Sequence, residues 1–485
     1  MQKKDDSIPL SAVLLMKDGK SVNKLYIEII INEEIPISCI NLNTNKSRLM
    51  PFKVLYDNNE NFWQHSGGWE YFIDGEGLEK LKEKAIAMTG KWDFERLKLL
   101  KKAETKAEAK EEEEIEELEI EVGYGSDYNS FTKMTTEEKL ERLNANKQKL
   151  NDLIVQKSRD VDEVMEALVD STKDATLINH AVLEEALLLA DEEAKQFTRA
   201  LVDSTSEMVK SSTHLLTEGV LNNELMNTLV EKSNGTIVQH MTRVYLNGTA
   251  FLAYYNNLVS TSSAIQKLRI SFAAKYREYY CHLLAHINKD DVNLERVFYG
   301  GMRAVPPDLF IKWSIGFLIH DIGKAEAIEY HEGESAYDRN TVIEHVKAGY
   351  KSIMTKTSYP MEASIITGYH HEYYGDPGGY GYFRAYLQQY KKNNPDAKQD
   401  YIITYELEPI LDYKALAYFP AKVLEIIDVY DSVTDPLRVY RKPMQPEDAL
   451  VMMREEFIEK NRKIDPIIFD IFVSFIHDKE KNKAA

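Results

Sequence analysis

His320 and Asp321 set an imidazole beside a carboxylate within an apolar run, FLIHDIGK, at residues 317–324. A carboxylate has two oxygens and can bridge two metal ions. A lone His-Asp pair is common and mostly structural, so its company decides its meaning. Downstream come Glu344-His345, with Gly349 four residues after the histidine, then Tyr369-His370-His371-Glu372, then Asp428 and Asp431. Adjacent helical side chains point in different directions, so His370 and His371 can reach two metals, or one metal and a substrate oxygen. Asp428 ends the mostly apolar stretch 423–427, and its charge needs a partner if it is buried. Imidazole and carboxylate donors with no cysteine among them suit Mn, Fe, Zn or Ni. Singly, each residue reads as a satisfied core histidine or aspartate; as a set they read as a metal centre.

In this order the stretches resemble the HD-GYP family of metal-dependent phosphodiesterases, a branch of the HD phosphohydrolase superfamily. The resemblance covers residues 210–475 and rests on FLIHDIGK, His345 with Gly349, His370-His371-Glu372, the glycine-rich loop that follows, and IIDVYD at 426–431. In the family a histidine followed at short spacing by Arg-Val supplies an early ligand, and His240, ahead of Arg243-Val244, stands in that place. The resemblance implies an all-α catalytic domain with metal ligands His240, His320, Asp321, His345, His370, His371 and Asp428. It implies Asp321 and Lys324 as catalytic residues, and Lys324, Gly378, Arg438, Tyr440 and Arg441 as substrate contacts. Arg438 and Arg441 are bidentate phosphate donors by chemistry; surface arginines at a helix end are the plainer alternative. Asp431 would orient a ligand from behind. The implied activity is hydrolysis of cyclic di-GMP to pGpG or GMP, by a metal-bridged hydroxide attacking phosphorus between two ions roughly 3.5–4 Å apart. The alternatives are hydrolysis of another cyclic dinucleotide, such as cyclic GMP-AMP, and a non-catalytic cyclic-dinucleotide receptor.

The chain departs from the family pattern in two places. Members with a third metal carry a glutamate four residues before the early histidine; Thr236 stands there and is a poor anionic ligand. Two divalent ions, Fe or Mn, are therefore expected rather than three. The family's Gly-Tyr-Pro is Gly379-Tyr380-Gly381 here, with about one extra residue before it. The lost proline bears on loop rigidity and partner docking, not on a metal ligand. A rival to His240 also exists: Glu278, His282 and His286, spaced i, i+4, i+8, would share one helical face. His240 is preferred, with a helical insertion read across 250–305.

These residues need elements to hold them. Ile311, Ile315, Leu318 and Ile319 make the buried face of a helix that delivers His320 and Asp321 at its end, with Asp308 as its cap. The fold class expected is α+β multidomain. Residues 1–100 read as a small β-rich domain with strands at 11–16, 24–32, 36–42 and 49–56, a turn at Asp18-Gly19 and a helix over 78–88. It would dock or dimerise, or else sense a ligand. Residues 101–134, with the acidic run 111–121, read as a solvated linker. A helical linker or dimerisation region follows over 135–212, opening at Thr135-Thr136-Glu137-Glu138. The catalytic domain is 213–485; within it, 383–419 would be a lid or surface decoration.

At 485 residues the chain exceeds one ordinary core. A net charge of −19 argues against a nucleic-acid polymer or an anionic membrane as partner, and an anionic cyclic dinucleotide would need local positive charge that metal ions can supply. Two cysteines make no disulfide framework. With no signal-peptide or membrane-spanning pattern, the reading is cytoplasmic, with a homodimer through the helical middle and signalling proteins as further expected partners.

Overall fold

The computed structural model describes residues 8–14, 24–33, 35–41, 46–58, 69–89, 127–232, 236–325, 339–374, 379–435 and 443–481. The chain divides into two compact units, residues 1–119 and 120–485. The whole is a coarse α+β arrangement dominated by helices.

The first unit runs β1 (Ile8–Pro9), α1 (Leu10–Leu14), α2 (Lys24–Asn32), β2 (Pro36–Asn41), β3 (Lys46–Pro51), α3 (Phe52–Asn58), β4 (Trp69–Ile73) and α4 (Gly75–Thr89). Its antiparallel sheet has the order β1-β4-β2-β3, with Cys39 opposite Arg48 on one side and Tyr71 on the other. The strand at 36–42 and the helix at 78–88 match expectation. Two expected strands are helices instead: 11–16 overlaps α1, and 24–32 is α2. The stretch expected as a strand at 49–56 divides between β3 and α3. A short isoleucine-rich run fits a strand or a buried helix equally, and packing decides. Ile27 and Ile30, one turn apart, are buried in a core with Leu10, Leu14, Ile37, Phe52, Ile73 and Leu81. The Asp18-Gly19 turn and most of the acidic linker lie outside the described residues.

The second unit runs α5 (Tyr128–Lys133), α6 (Thr136–Val155), α7 (Val161–Leu187), α8 (Asp191–Thr217), α9 (Asn223–Val230), α10 (Thr236–Ser260), α11 (Ser262–Lys275), α12 (Arg277–Leu283), α13 (Leu294–Val297) and α14 (Pro307–Leu318). There follow α15 (Arg339–Lys356), α16 (Met361–Tyr369), α17 (Phe383–Asn393), β5 (Tyr401–Thr404), α18 (Glu408–Leu411), β6 (Ala415–Tyr418), α19 (Phe419–Thr434), α20 (Pro446–Arg454) and α21 (Pro466–Lys481). α6 begins where expected. Thr135 accepts from the Glu138 N–H at 3.2 Å, and the Glu138 carboxylate accepts from the Thr135 N–H at 2.7 Å, a complete capping box.

Residues 135–212 are not a free-standing linker. α6, α7 and α8 share one continuous core with everything after them. α7 is buried along most of its length and packs on α10, α15 and the turn after α14. A helix that apolar must be covered. Nor are residues 213–485 all-α. β5 and β6 pair in parallel, Tyr401 opposite Ala415, and Ile402, Ile403, Ala417 and Tyr418 are buried. Tyr418 accepts a 2.8 Å hydrogen bond from the Trp313 indole. The β5–β6 part of the 383–419 segment is thus core rather than lid, while most residues of 386–400 are exposed, as decoration would be. Among the described residues, no helix is long and apolar enough to cross a membrane.

Candidate metal centre

α14 starts with Pro306 as its cap and Pro307 in its first turn, so Asp308 sits inside that turn rather than capping it. The helix ends at Leu318, and His320 and Asp321 lie just past it, ahead of a 3-10 turn at Ile322–Ala325. This turn crosses α15 with no room for a side chain. A Cβ on Gly323 would stand 1.9 Å from the His345 carbonyl oxygen and 2.5 Å from the Gly349 nitrogen. Gly349 allows this close approach, and the approach sets Asp321 against His345.

The seven expected ligands come together, all buried. His240 lies in α10, His345 in α15, His370 and His371 at the end of α16, and Asp428 in α19. They form two clusters, His240-His320-Asp428 and His345-His370-His371. Asp321 stands between them. Its Oδ1 is 3.2 Å from His345 Nε2 and 3.9 Å from His370 Nε2. Its Oδ2 is 3.5 Å from both His240 Nε2 and His320 Nε2. Asp428 also spans the clusters, with Oδ1 3.0 Å from His240 Nε2 and Oδ2 3.8 Å from His371 Nδ1.

Second contacts fix the rings. The Nδ1 atoms of His320 and His370 lie 2.9 Å and 2.7 Å from the carbonyl oxygens of Phe317 and Thr367, which turns each Nε2 inward. His240 Nδ1 is 2.7 Å from Asp431 Oδ2, the orienting role expected of Asp431. Tyr380 lies against the His371 ring, centroids 4.3 Å apart.

The donor set fits a metal. His320 Nε2, His370 Nε2 and His371 Nδ1 are buried without a hydrogen-bond partner. Buried polar atoms are seldom left so. Burial pushes the His371 imidazole down to about 3 and lowers His320 and His370 as well, so all three are neutral and able to donate a lone pair. Burial would raise the Asp321 carboxyl, but Lys324, His320 and hydrogen bonds from His240 and His345 hold it well below the usual range. The same opposition, with His240 and His371 as partners, keeps Asp428 ionised. Burial disfavours charge on His240, yet hydrogen bonds to Asp321, Asp428 and Asp431 raise it well above the usual imidazole value. Lys324 Nζ lies 2.7 Å from Asp321 Oδ2.

The rival histidines are elsewhere. His282 is exposed with Nδ1 on the Glu278 carbonyl, and His286 is exposed and 3.7 Å from Asp400. Gly378, Arg438, Tyr440 and Arg441 lie outside the described residues. Gly381 has a local reason to replace proline. Its N–H and that of Tyr380 donate to the His371 carbonyl, and a Cβ there would meet Glu372 Oε2 at 2.1 Å.

Three features escaped the sequence reading. His180, on α7, is wholly buried and feels the charges of Asp321, Lys324 and His320. Arg243 clamps Asp431 and Asp435 behind His240, at 2.6 Å to each. Lys422 and Glu425 pair inside α19. The 3–4 residue spacing of Lys422, Glu425, Asp428, Asp431 and Asp435 on one helix was the available signal. No protein-family model, curated protein or solved structure matches the chain.

Proposed function

We propose that the chain is a metal-dependent phosphodiesterase that hydrolyses cyclic di-GMP to pGpG or GMP. The observation that carries the reaction class is Asp321, whose two oxygens face different histidine clusters. One cluster and one carboxylate oxygen would hold each ion; the donor types suit Mn, Fe, Zn or Ni, of which Fe or Mn is the expectation. Two ions so held supply Lewis acidity toward a phosphodiester oxygen and a water acidic enough to ionise near neutral pH. The protein's own part is preorganisation. The imidazoles of His320, His370 and His371 kept neutral, two carboxylates kept ionised and a close backbone crossing at Gly323 leave little to rearrange during reaction. Lys324, resting on Asp321, brings a positive charge to where the phosphate would lie. The substrate itself rests on the motif resemblance.

The test is turnover of cyclic di-GMP by protein loaded anaerobically with Mn or Fe, beside Asp321→Ala, with products read by chromatography. Cleavage that disappears in the variant supports reaction, substrate and site together. Metal-loaded protein that leaves cyclic di-GMP intact but cleaves cyclic GMP-AMP changes the substrate. Binding without turnover of either makes the chain a receptor.

A further inference from the structure

The buried pair on α19 bears on one half of the centre. Lys422 is 1% exposed, and its ammonium makes two hydrogen bonds: 2.7 Å to Glu425 Oε2 and 2.5 Å to the backbone carbonyl of Glu372. It also lies 4.0 Å from the centre of the Tyr374 ring. Glu372 is the residue immediately after His370 and His371. A buried lysine is costly, and an apolar pair would serve packing as well or better. What an apolar pair cannot do is donate to that carbonyl.

The turn leaving α16 has other ties. The Glu372 N–H donates to the Tyr369 carbonyl at 2.9 Å, and the His371 carbonyl accepts from Tyr380 and Gly381. These close the turn on itself and on the following loop. Lys422 ties it to α19, the helix that carries Asp428 six residues further on.

We propose that Lys422 is a positioning residue: through the Glu372 carbonyl it fixes the His370-His371 turn in register with Asp428, and so completes the His345-His370-His371 half of the centre. This rests on the metal-centre reading above. The other half, His240-His320-Asp428, contains no residue of that turn and should stand without it.

The experiment titrates Mn(II) into the full-length, metal-free protein, counts bound ions by equilibrium dialysis and records the electron paramagnetic resonance spectrum. The wild type should bind two ions with the spectrum of a spin-coupled pair. Lys422→Met should keep one ion, show an isolated-ion spectrum and bind the second about 10- to 100-fold more weakly. Lys422→Arg should recover the pair. Should Lys422→Met fail to fold, the double variant Lys422→Met, Glu425→Leu removes the stranded carboxyl group and keeps the packing; the same loss of one ion is expected. A coupled pair at wild-type affinity in either folded variant overturns the proposal, and so does equal weakening of both ions. A wild type that takes up no Mn(II) fails the metal-centre reading instead, and the proposal with it.

Discussion

Nδ1 of His240 and Oδ2 of Asp431 lie 2.7 Å apart although 191 residues separate them in the chain. Arg243, one turn after His240 on α10, holds the other carboxylate oxygen at 2.6 Å. The ion-paired carboxylate keeps Nδ1 protonated and leaves Nε2 directed at Asp321 and Asp428. Asp431→Asn is therefore expected to weaken metal binding by about 10- to 100-fold while the protein stays folded. Metal titration with a circular dichroism control checks it, and wild-type affinity would refute the orienting role.

Gly323→Ala should be among the most damaging small substitutions. Its Cβ would overlap backbone of α15, not the end of a flexible side chain. Overpacking of this kind costs about 1–3 kcal/mol, more where backbone must move. Because the shift would separate Asp321 from His345, metal uptake should fall together with the melting temperature. A variant with lower stability but an unchanged ion count would show that the contact is structural only.

Removing the metal should lower stability. The ligands come from α10, the turn after α14, α15, α16 and α19, and only the folded chain assembles them. Free ion at 100 times its dissociation constant stabilises by about 2.7 kcal/mol per site. A chelator should lower the melting temperature, and Mn or Fe should restore it. Metal analysis should give two ions per chain, as Thr236 in place of glutamate predicts; three would overturn that count. His282→Ala and His286→Ala should change neither quantity.

Glu425 predicts a pH dependence. Burial pushes its carboxyl up to about 8, against the opposing pull of Lys422. The folded chain then holds a proton that the unfolded chain releases above about pH 4.5. Stability should fall as pH rises from that value through about 8, by a few kcal/mol at most. In chelator-treated protein, Glu425→Gln should make this decline shallower. Equal slopes for variant and wild type between pH 5 and 8 would mean that the carboxyl is already ionised.

The parts of this protein legible in its sequence are local ones. His320-Asp321, His370-His371 and Asp428 after Ile426-Ile427 point to a metal site because the donor types sit side by side and no cysteine competes. His240 was separable from His282 by the Arg243-Val244 that follows it, and the fold places Arg243 behind the site. The capping box at Thr135 needs only four residues to be recognised. Tertiary structure decided what depends on distant partners. The isoleucine-rich stretch 24–32 became a helix because of what covers it. Residues 135–212 joined the core of the second unit because α7 is too apolar to stand alone. The crossing of Gly323 on Gly349 and the reach of Lys422 to the Glu372 carbonyl join residues 26 and 50 positions apart. Hydrophobic period and residue type report what one segment prefers; backbone contacts across segments exist only once the segments are packed.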